Sequence, residues 1–423
     1  MSEFFDARET RDPAQREQDL LTRLPAVLTQ AAAQAPAIAR QLDRIDPRAL
    51  NTRAALATVP VIRKTQLLEL QQEARKRLSA EDAVIERVFG GFSSIGWGPA
   101  LRVFASPGPI YEPESARPDY WRFGRALYAA GFRAGDLAHN CFSYHFTPAG
   151  AMMETAAHAV GCSVFPGGVG QTEQQIQAMC DLMPVGYMGT PSFLKIILEK
   201  ADELGIKIPS LKRALVSGEA FPPSLRDWLL GRGIEGYQTY GSADLGMIAF
   251  ETPAREGLVL SEDVLLEIVR PGTNDVVPEG EVGEVVVTTL NPDYPLLRFG
   301  TGDLSAVMPG ISPCGRTNTR IRGWLGRADQ TTKVRGLFVH PGQIAELVRR
   351  HPAVKRARLV ISGTTGADVM LLCVEATEQS EAFKEQLVAT ARELTKLRAQ
   401  AEVVALGSLP NDGKVIDDVR VYT

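Results

Sequence analysis

Five short apolar runs between residues 136 and 242, each emptying into glycine, proline or a small polar residue, constrain this chain most. They read DLAHNCFSYHF, CSVFPGG, VGYMGTP, LKRALVSGE and EGYQTYGS, with helical spacing between them. Strands that alternate with helices need crossover connections, so the sequence predicts an α/β fold with parallel sheets covered by helices. In such sheets the loops at the carboxyl ends of the strands carry the ligand. That places the turns SGEAF (217–221) and YGSAD (240–244) where a substrate would lie.

The flanking regions read differently. Residues 14–80, with the stretch ALATVPVIRKTQLLELQQ inside them, have helical spacing, and the basic segment RKTQLLELQQEARKR reads as a solvated helix face. Alternating apolar residues around a Pro-Gly turn make residues 258–310 antiparallel and β-rich. After GRADQ, a hairpin (TKVRGLFVHP), a helix (GQIAELVRRH), paired strands (KRARLVIS, DVMLLCVEA) and an amphipathic helix form a small α+β domain. The expected organisation is a large domain of parallel and mixed sheets over 1–326, a hinge at 327–330 and a small mobile domain over 331–423.

With 44% apolar and 23% charged residues and a net charge of -4, the chain has the balance of a globular enzyme and no basic excess to recommend nucleic acid. The amino terminus is too polar for a signal peptide and no apolar run is long enough to cross a bilayer, so the expected location is cytoplasmic, without a membrane partner. Cys141, Cys162, Cys180, Cys314 and Cys373 are scattered. They are expected to be reduced and mostly buried, with neither a disulfide framework nor structural zinc.

SGEAF, YGSAD, VGEVVVTTL, LLRFGTGDL, CGRTNTRI, GRADQTTKVRGLFVHPGQI and LPNDGKV follow one another in this order. From about residue 55 to the carboxyl end, the series resembles the phenylacetate-CoA ligase family of AMP-forming adenylating enzymes. The resemblance implies that a carboxylic acid is coupled to ATP with release of pyrophosphate, and that a thiol, CoA or a carrier, then displaces AMP. Acid, ATP with Mg2+, and CoA are the implied partners; a homodimer is the assembly considered. Residues matching the adenine slot are Gly218, Glu219, Ala220 and Gln238, with Tyr240, next to Gly241, placed to stack on the purine. Asp303 in GTGD matches the ribose carboxylate, which can accept from two vicinal hydroxyls. Asp244 stands where the family usually has a glutamate that binds Mg2+. Arg327 is a forked donor for ribose or phosphate oxygens. Lys414 in PNDGK is a long cation for the charge developing at the α-phosphate. Asp329 matches the hinge and Gly336 the thiol tunnel. The segment NCFSYHFTPAG matches the acyl pocket, for which Phe142, Tyr144, His145 and Phe146 suit an aromatic or other small apolar acid; packing of half of them in the core is an equal alternative.

One stretch departs from the family. Its loop at residues 105–112 is rich in Ser, Thr and Gly and ends in Lys, whereas here it reads ASPGPIYE. Ser106 and Gly108 match; Pro107 and Pro109 lack amide hydrogens, and Glu112 is acidic. Two readings stay open: an acid:CoA ligase with an atypical triphosphate loop, or a protein of this fold that binds a nucleotide, acyl-adenylate or acyl-CoA without full ATP-dependent activation. The SGTTG at 362–366 spells a phosphate loop but lies between two strands, so a hairpin turn is expected there. CGRT at 314–317 has no partner ligands nearby and predicts no metal site.

Overall fold

The computed structural model describes residues 3–79, 83–328, 330, 332–334, 337–363 and 368–420. The chain divides into two compact units. One comprises Met1–Leu266, Val287–Phe299 and Met308–Gly323; the other comprises Glu267–Val286, Gly300–Val307 and Trp324–Thr423. Asp303, Arg327 and Lys414 therefore belong to the same unit.

The five apolar runs of the first unit form the strands Leu137–Asn140, Ser163–Phe165, Gly186–Gly189, Arg213–Val216 and Glu235–Ser242. All are parallel, with Leu137–Asn140 between Ser163–Phe165 and Gly186–Gly189. Gly246–Phe250 and Leu258–Leu260 extend the sheet in antiparallel fashion. Successive side chains enter different cores. Tyr187, Ala214 and Val216 pack with Ile176 and Leu194, while Met188 and Leu215 pack with Trp121 and Met152. This period-two split is the mark of a strand covered by helices on both faces. Truncating such a side chain, Leu215→Ala for example, costs about 2–5 kcal/mol.

Helices dominate the amino-terminal section, but in pieces: Pro13–Gln34, Pro36–Gln41, Arg53–Ala57 and Lys64–Arg77. Continuous helical spacing through ALATVPVIRK is corrected by the structure. Pro60 has no amide hydrogen to continue a helix, and the chain turns into the short strand Ile62–Arg63 before the next helix begins. Asp12 caps the first helix by accepting from the amides of Ala14 and Gln15 at 2.9 and 3.0 Å. The cysteines are less buried than expected: Cys141 and Cys162 are buried, whereas Cys180 is exposed.

In the second unit, Thr332–Val334 pairs with Leu337–Val339, and Val354–Ser362 pairs antiparallel with Val369–Ala376. Gln400–Val404 and Ile416–Asp418 add parallel strands at the two edges. The helices Pro341–Arg350 and Glu381–Thr395 supply Leu347 and Leu387 to a core with Leu359 and Leu372. Ser362 of the SGTTG stretch ends the first strand of the antiparallel pair and Gly363 follows it, while 364–366 lie outside the described residues.

Candidate nucleotide and acyl-transfer site

The sheet of the first unit brings its two ligand turns together. Val216 is in register with Gln238, so Gly218, Glu219 and Ala220, all exposed, leave one strand beside Gln238 and Tyr240 on the next. The Ser217 hydroxyl donates to the Thr239 carbonyl at 3.1 Å and fixes this junction. Glu219 reaches the first turn of helix Pro191–Glu203, accepting from the Ser192 amide at 2.7 Å. Gln238 and Tyr240 are half-buried, and after Gly241 and Ser242 the strand gives way to a turn at 243–245 that holds Asp244.

Asp244 is buried. Its Oδ2 pairs with Lys64 Nζ at 2.8 Å, and its Oδ1 is buried with no hydrogen-bond partner among the described residues. Sequence reasoning missed Lys64, which sits in the basic stretch read as a solvated face. The rest of that helix is amphipathic, burying Leu67, Gln71 and Ala74, but its first residue turns inward to a carboxylate 180 positions away.

The stretch ASPGPIYE forms the end of an antiparallel hairpin, Ala100–Ser106 with Ile110–Ser115, in which Ser106 faces Ile110. Three of its polar groups are engaged within the protein. The Ser106 hydroxyl is buried and donates to Glu112 Oε1 at 2.6 Å; the Ala105 amide donates to the Phe146 carbonyl at 2.8 Å and the Tyr111 amide to Gln71 Oε1 at 2.9 Å. Gly108 is exposed between two prolines that offer no amide. Glu112 is fully buried, so it does not project from the loop into solvent. Burial, reinforced by the like charge of Asp244, pushes its carboxyl up to about 8. At neutral pH it holds a proton, which removes most of the repulsion an acidic residue here would exert.

The acyl segment divides. Phe142 packs in the core with Trp121 and Met152, in line with the core alternative left open by the sequence. Tyr144 accepts from Asn140 at 2.8 Å and donates to Glu154 at 2.9 Å. His145 is exposed, and Phe146 is 80% exposed at φ 60°.

Three further candidates meet in the second unit. Residues 302–304 run alongside 325–328: the Leu304 amide donates to the Gly326 carbonyl at 2.9 Å and the Ala328 amide to the Gly302 carbonyl at 2.7 Å. Gly302 has φ 72°, a conformation that favours glycine, and the Arg327 guanidinium lies 2.7 Å from where a Cβ would stand. The pairing sets Arg327 Nη1 at 2.8 Å from Asp303 Oδ1, and Trp324 Nε1 donates to the same oxygen at 3.1 Å. Lys414 lies across a cleft of about 390 Å³ that is also lined by Leu304, Arg327, Gln330 and Asp417. Its ammonium pairs with Asp417 at 2.7 Å. Gln330 clasps the lysine turn, donating to the Gly413 carbonyl at 2.9 Å and accepting from the Ile416 amide at 2.8 Å. Sequence reasoning did not single out Trp324 or Gln330, since an isolated Trp and Gln carry no motif. Asp329 and Gly336 lie outside the described residues.

Comparison with known proteins bears on this arrangement. A family model described as AMP-binding enzyme matches residues 122–291. The chain is 30% identical over 383 residues to the phenylacetate-coenzyme A ligase of Aromatoleum evansii, covering 84% of this chain and 86% of that one. It is 29% identical over 374 residues to the enzyme of that name from Thermus thermophilus, covering 84% and 80%. A solved structure of 2-hydroxyisobutyryl-CoA ligase in an open conformation, in complex with 2-HIB-AMP and CoA, matches 97% of this chain and 92% of its own with a TM-score of 0.70 at 25% identity.

Proposed function

We propose, from the premise that this chain belongs to the phenylacetate-CoA ligase family and is an AMP-forming acid–CoA ligase, that it activates an aromatic or other small apolar carboxylic acid while gripping the β- and γ-phosphates of ATP weakly. Of the two readings the sequence left open, the ligase stands. The observation that carries the reading is the convergence of Asp303, Arg327 and Lys414 in one unit, two of them lining the same cleft.

In this mechanism Gly218–Ala220, Gln238 and Tyr240 receive the adenine and Asp303 the ribose hydroxyls. Lys414 leaves Asp417 and places its charge on the oxygens between carboxylate and α-phosphate as the acyl-adenylate forms. The thiolate of CoA then attacks the acyl carbon and AMP departs with the electron pair. The unpartnered Oδ1 of Asp244 fits a hard cation, and Asp244 would hold Mg2+, which when bound neutralises phosphate charge. Lys64 supplies a cation to the same carboxylate. Asp329 serves as hinge and Gly336 as part of the thiol tunnel, on their place in the sequence.

The weak grip follows from the hairpin, whose Ser106 hydroxyl and Ala105 and Tyr111 amides are spent on the protein itself. Each absent charge-assisted hydrogen bond is worth about 1.5–3 kcal/mol. Calorimetry at equal Mg2+ should therefore find ATP bound no more tightly than AMP, and much more weakly than a preformed acyl-adenylate. ATP binding well above AMP would sink the loop assignment. A panel of carboxylic acids with ATP and CoA, read by mass spectrometry for thioester and AMP, tests the acid class; turnover confined to polar acids would refute it.

A further inference from the structure

We infer that Trp324 is a positioning residue for ribose recognition, acting through Asp303; the inference rests on the ribose role proposed for that aspartate. The geometry comes from three independent constraints. Strand-like pairing of 302–304 with 325–328 fixes the backbone on both sides of the contact, with Leu325 donating to the Leu304 carbonyl at 2.9 Å. Trp324 Nε1 then meets Asp303 Oδ1 at 3.1 Å, and Arg327 Nη1 meets it at 2.8 Å. Two donors from one paired segment converge on one carboxylate oxygen.

The consequence concerns orientation. A carboxylate can accept a vicinal diol only while its plane is held, because rotation about χ2 moves both oxygens at once. Arg327 is more than half exposed and its long stem has many rotamers, so alone it is a loose tether. The indole has two side-chain torsions, and its N–H can donate to a single acceptor. Trp324 is itself 56% exposed, so apolar burial does not account for its place. What its ring offers here is a rigid arm for one donor.

The test is equilibrium binding of AMP, 2′-deoxy-AMP and 3′-deoxy-AMP to the full chain, comparing wild type with Asp303→Asn, Trp324→Phe and Trp324→Ala. Wild type should prefer AMP, and Asp303→Asn should lose most of that preference. Both Trp324 variants should reduce the preference by about 3- to 10-fold, the loss of one orienting hydrogen bond, with deoxynucleotide affinity nearly unchanged. A preference reduced in Trp324→Ala and intact in Trp324→Phe would overturn the inference, because the ring and not its N–H would then matter. Equal weakening for all three nucleotides would also overturn it, as the sign of a merely structural role. If Asp303→Asn leaves the preference intact, the ribose role of Asp303 falls and this inference with it; if Asp303→Asn abolishes the preference and Trp324→Phe does not touch it, the inference falls alone.

Discussion

The carboxylates at Asp244 in the first unit and Asp303 in the second are treated oppositely by the chain. Asp244 is buried, meets Lys64, and shares its surroundings with the buried Glu112 and the buried hydroxyl of Tyr294, which has no hydrogen-bond partner among the described residues. Asp303 lies in the strand Phe299–Ser305 with its side chain 17% exposed, and Trp324 and Arg327, both more than half exposed, donate to one of its oxygens. A ligand reaching Asp244 meets a carboxylate paired with Lys64 through Oδ2. A ligand reaching Asp303 meets one whose Oδ1 already accepts from two donors. On the proposed assignment of Asp303 to ribose, the nucleoside end of the substrate would meet a carboxylate already held by two donors, whereas the Ser106 hydroxyl and the Ala105 and Tyr111 amides of the hairpin are spent within the fold.

The largest effect should come from the open side. Lys414→Ala should slow adenylation by about a hundred- to a thousandfold in single turnover, with little change in AMP affinity, since the charge it meets exists only in the transition state. CoA attack on a supplied acyl-adenylate should proceed at nearly the wild-type rate; a variant defective only in that second step would reverse the role assigned to the lysine.

The closed side should respond in stability. Lys64→Met leaves Asp244 buried with its one strong partner gone, and should cost about 1–3 kcal/mol in denaturant unfolding. Adding Asp244→Asn should recover part of the loss, because the uncompensated charge is then absent. Full additivity of the two substitutions would show that the ion pair contributes nothing.

The smallest effect sharpens the reading of Glu112. Its carboxyl titrates near 8 in the folded chain, through burial first and the charge of Asp244 second, against an ordinary value of 4.5. A raised acid binds its proton more tightly when folded, so its contribution is complete below the unfolded value and is lost as pH rises through the folded one. Wild-type stability should thus decline between about pH 4.5 and pH 8, and Glu112→Gln, which keeps an acceptor for Ser106, should decline less. Parallel pH profiles would mean that Glu112 is ionised throughout.

Much of the fold was legible because period and punctuation are local properties. The five strand runs, the hairpin at 332–339 and the strand pair 354–376 could be read from alternation and from the glycines and prolines that end each run. The motif residues could be read as well, since SGEAF, YGSAD and GTGD carry their order with them. The helical reading of 14–80 failed in detail at Pro60, and the place of Phe142 stayed open between core and pocket, because that choice depends on how a loop packs against the sheet.

The sequence by itself determined the class of fold, the family and the chemistry of the groups available: an aspartate in GTGD, a lysine in PNDGK and a loop short of amide donors. Tertiary structure alone decided what those groups do with one another. Lys64 and Asp244 are 180 residues apart, and Asp303 and Trp324 are 21 apart. No local pattern links either pair, since a salt bridge or an indole hydrogen bond costs the sequence one residue at each end and leaves no period. Glu112 makes the same point: composition called it a charge, and only its burial beside Asp244 turned it into an acid that keeps its proton.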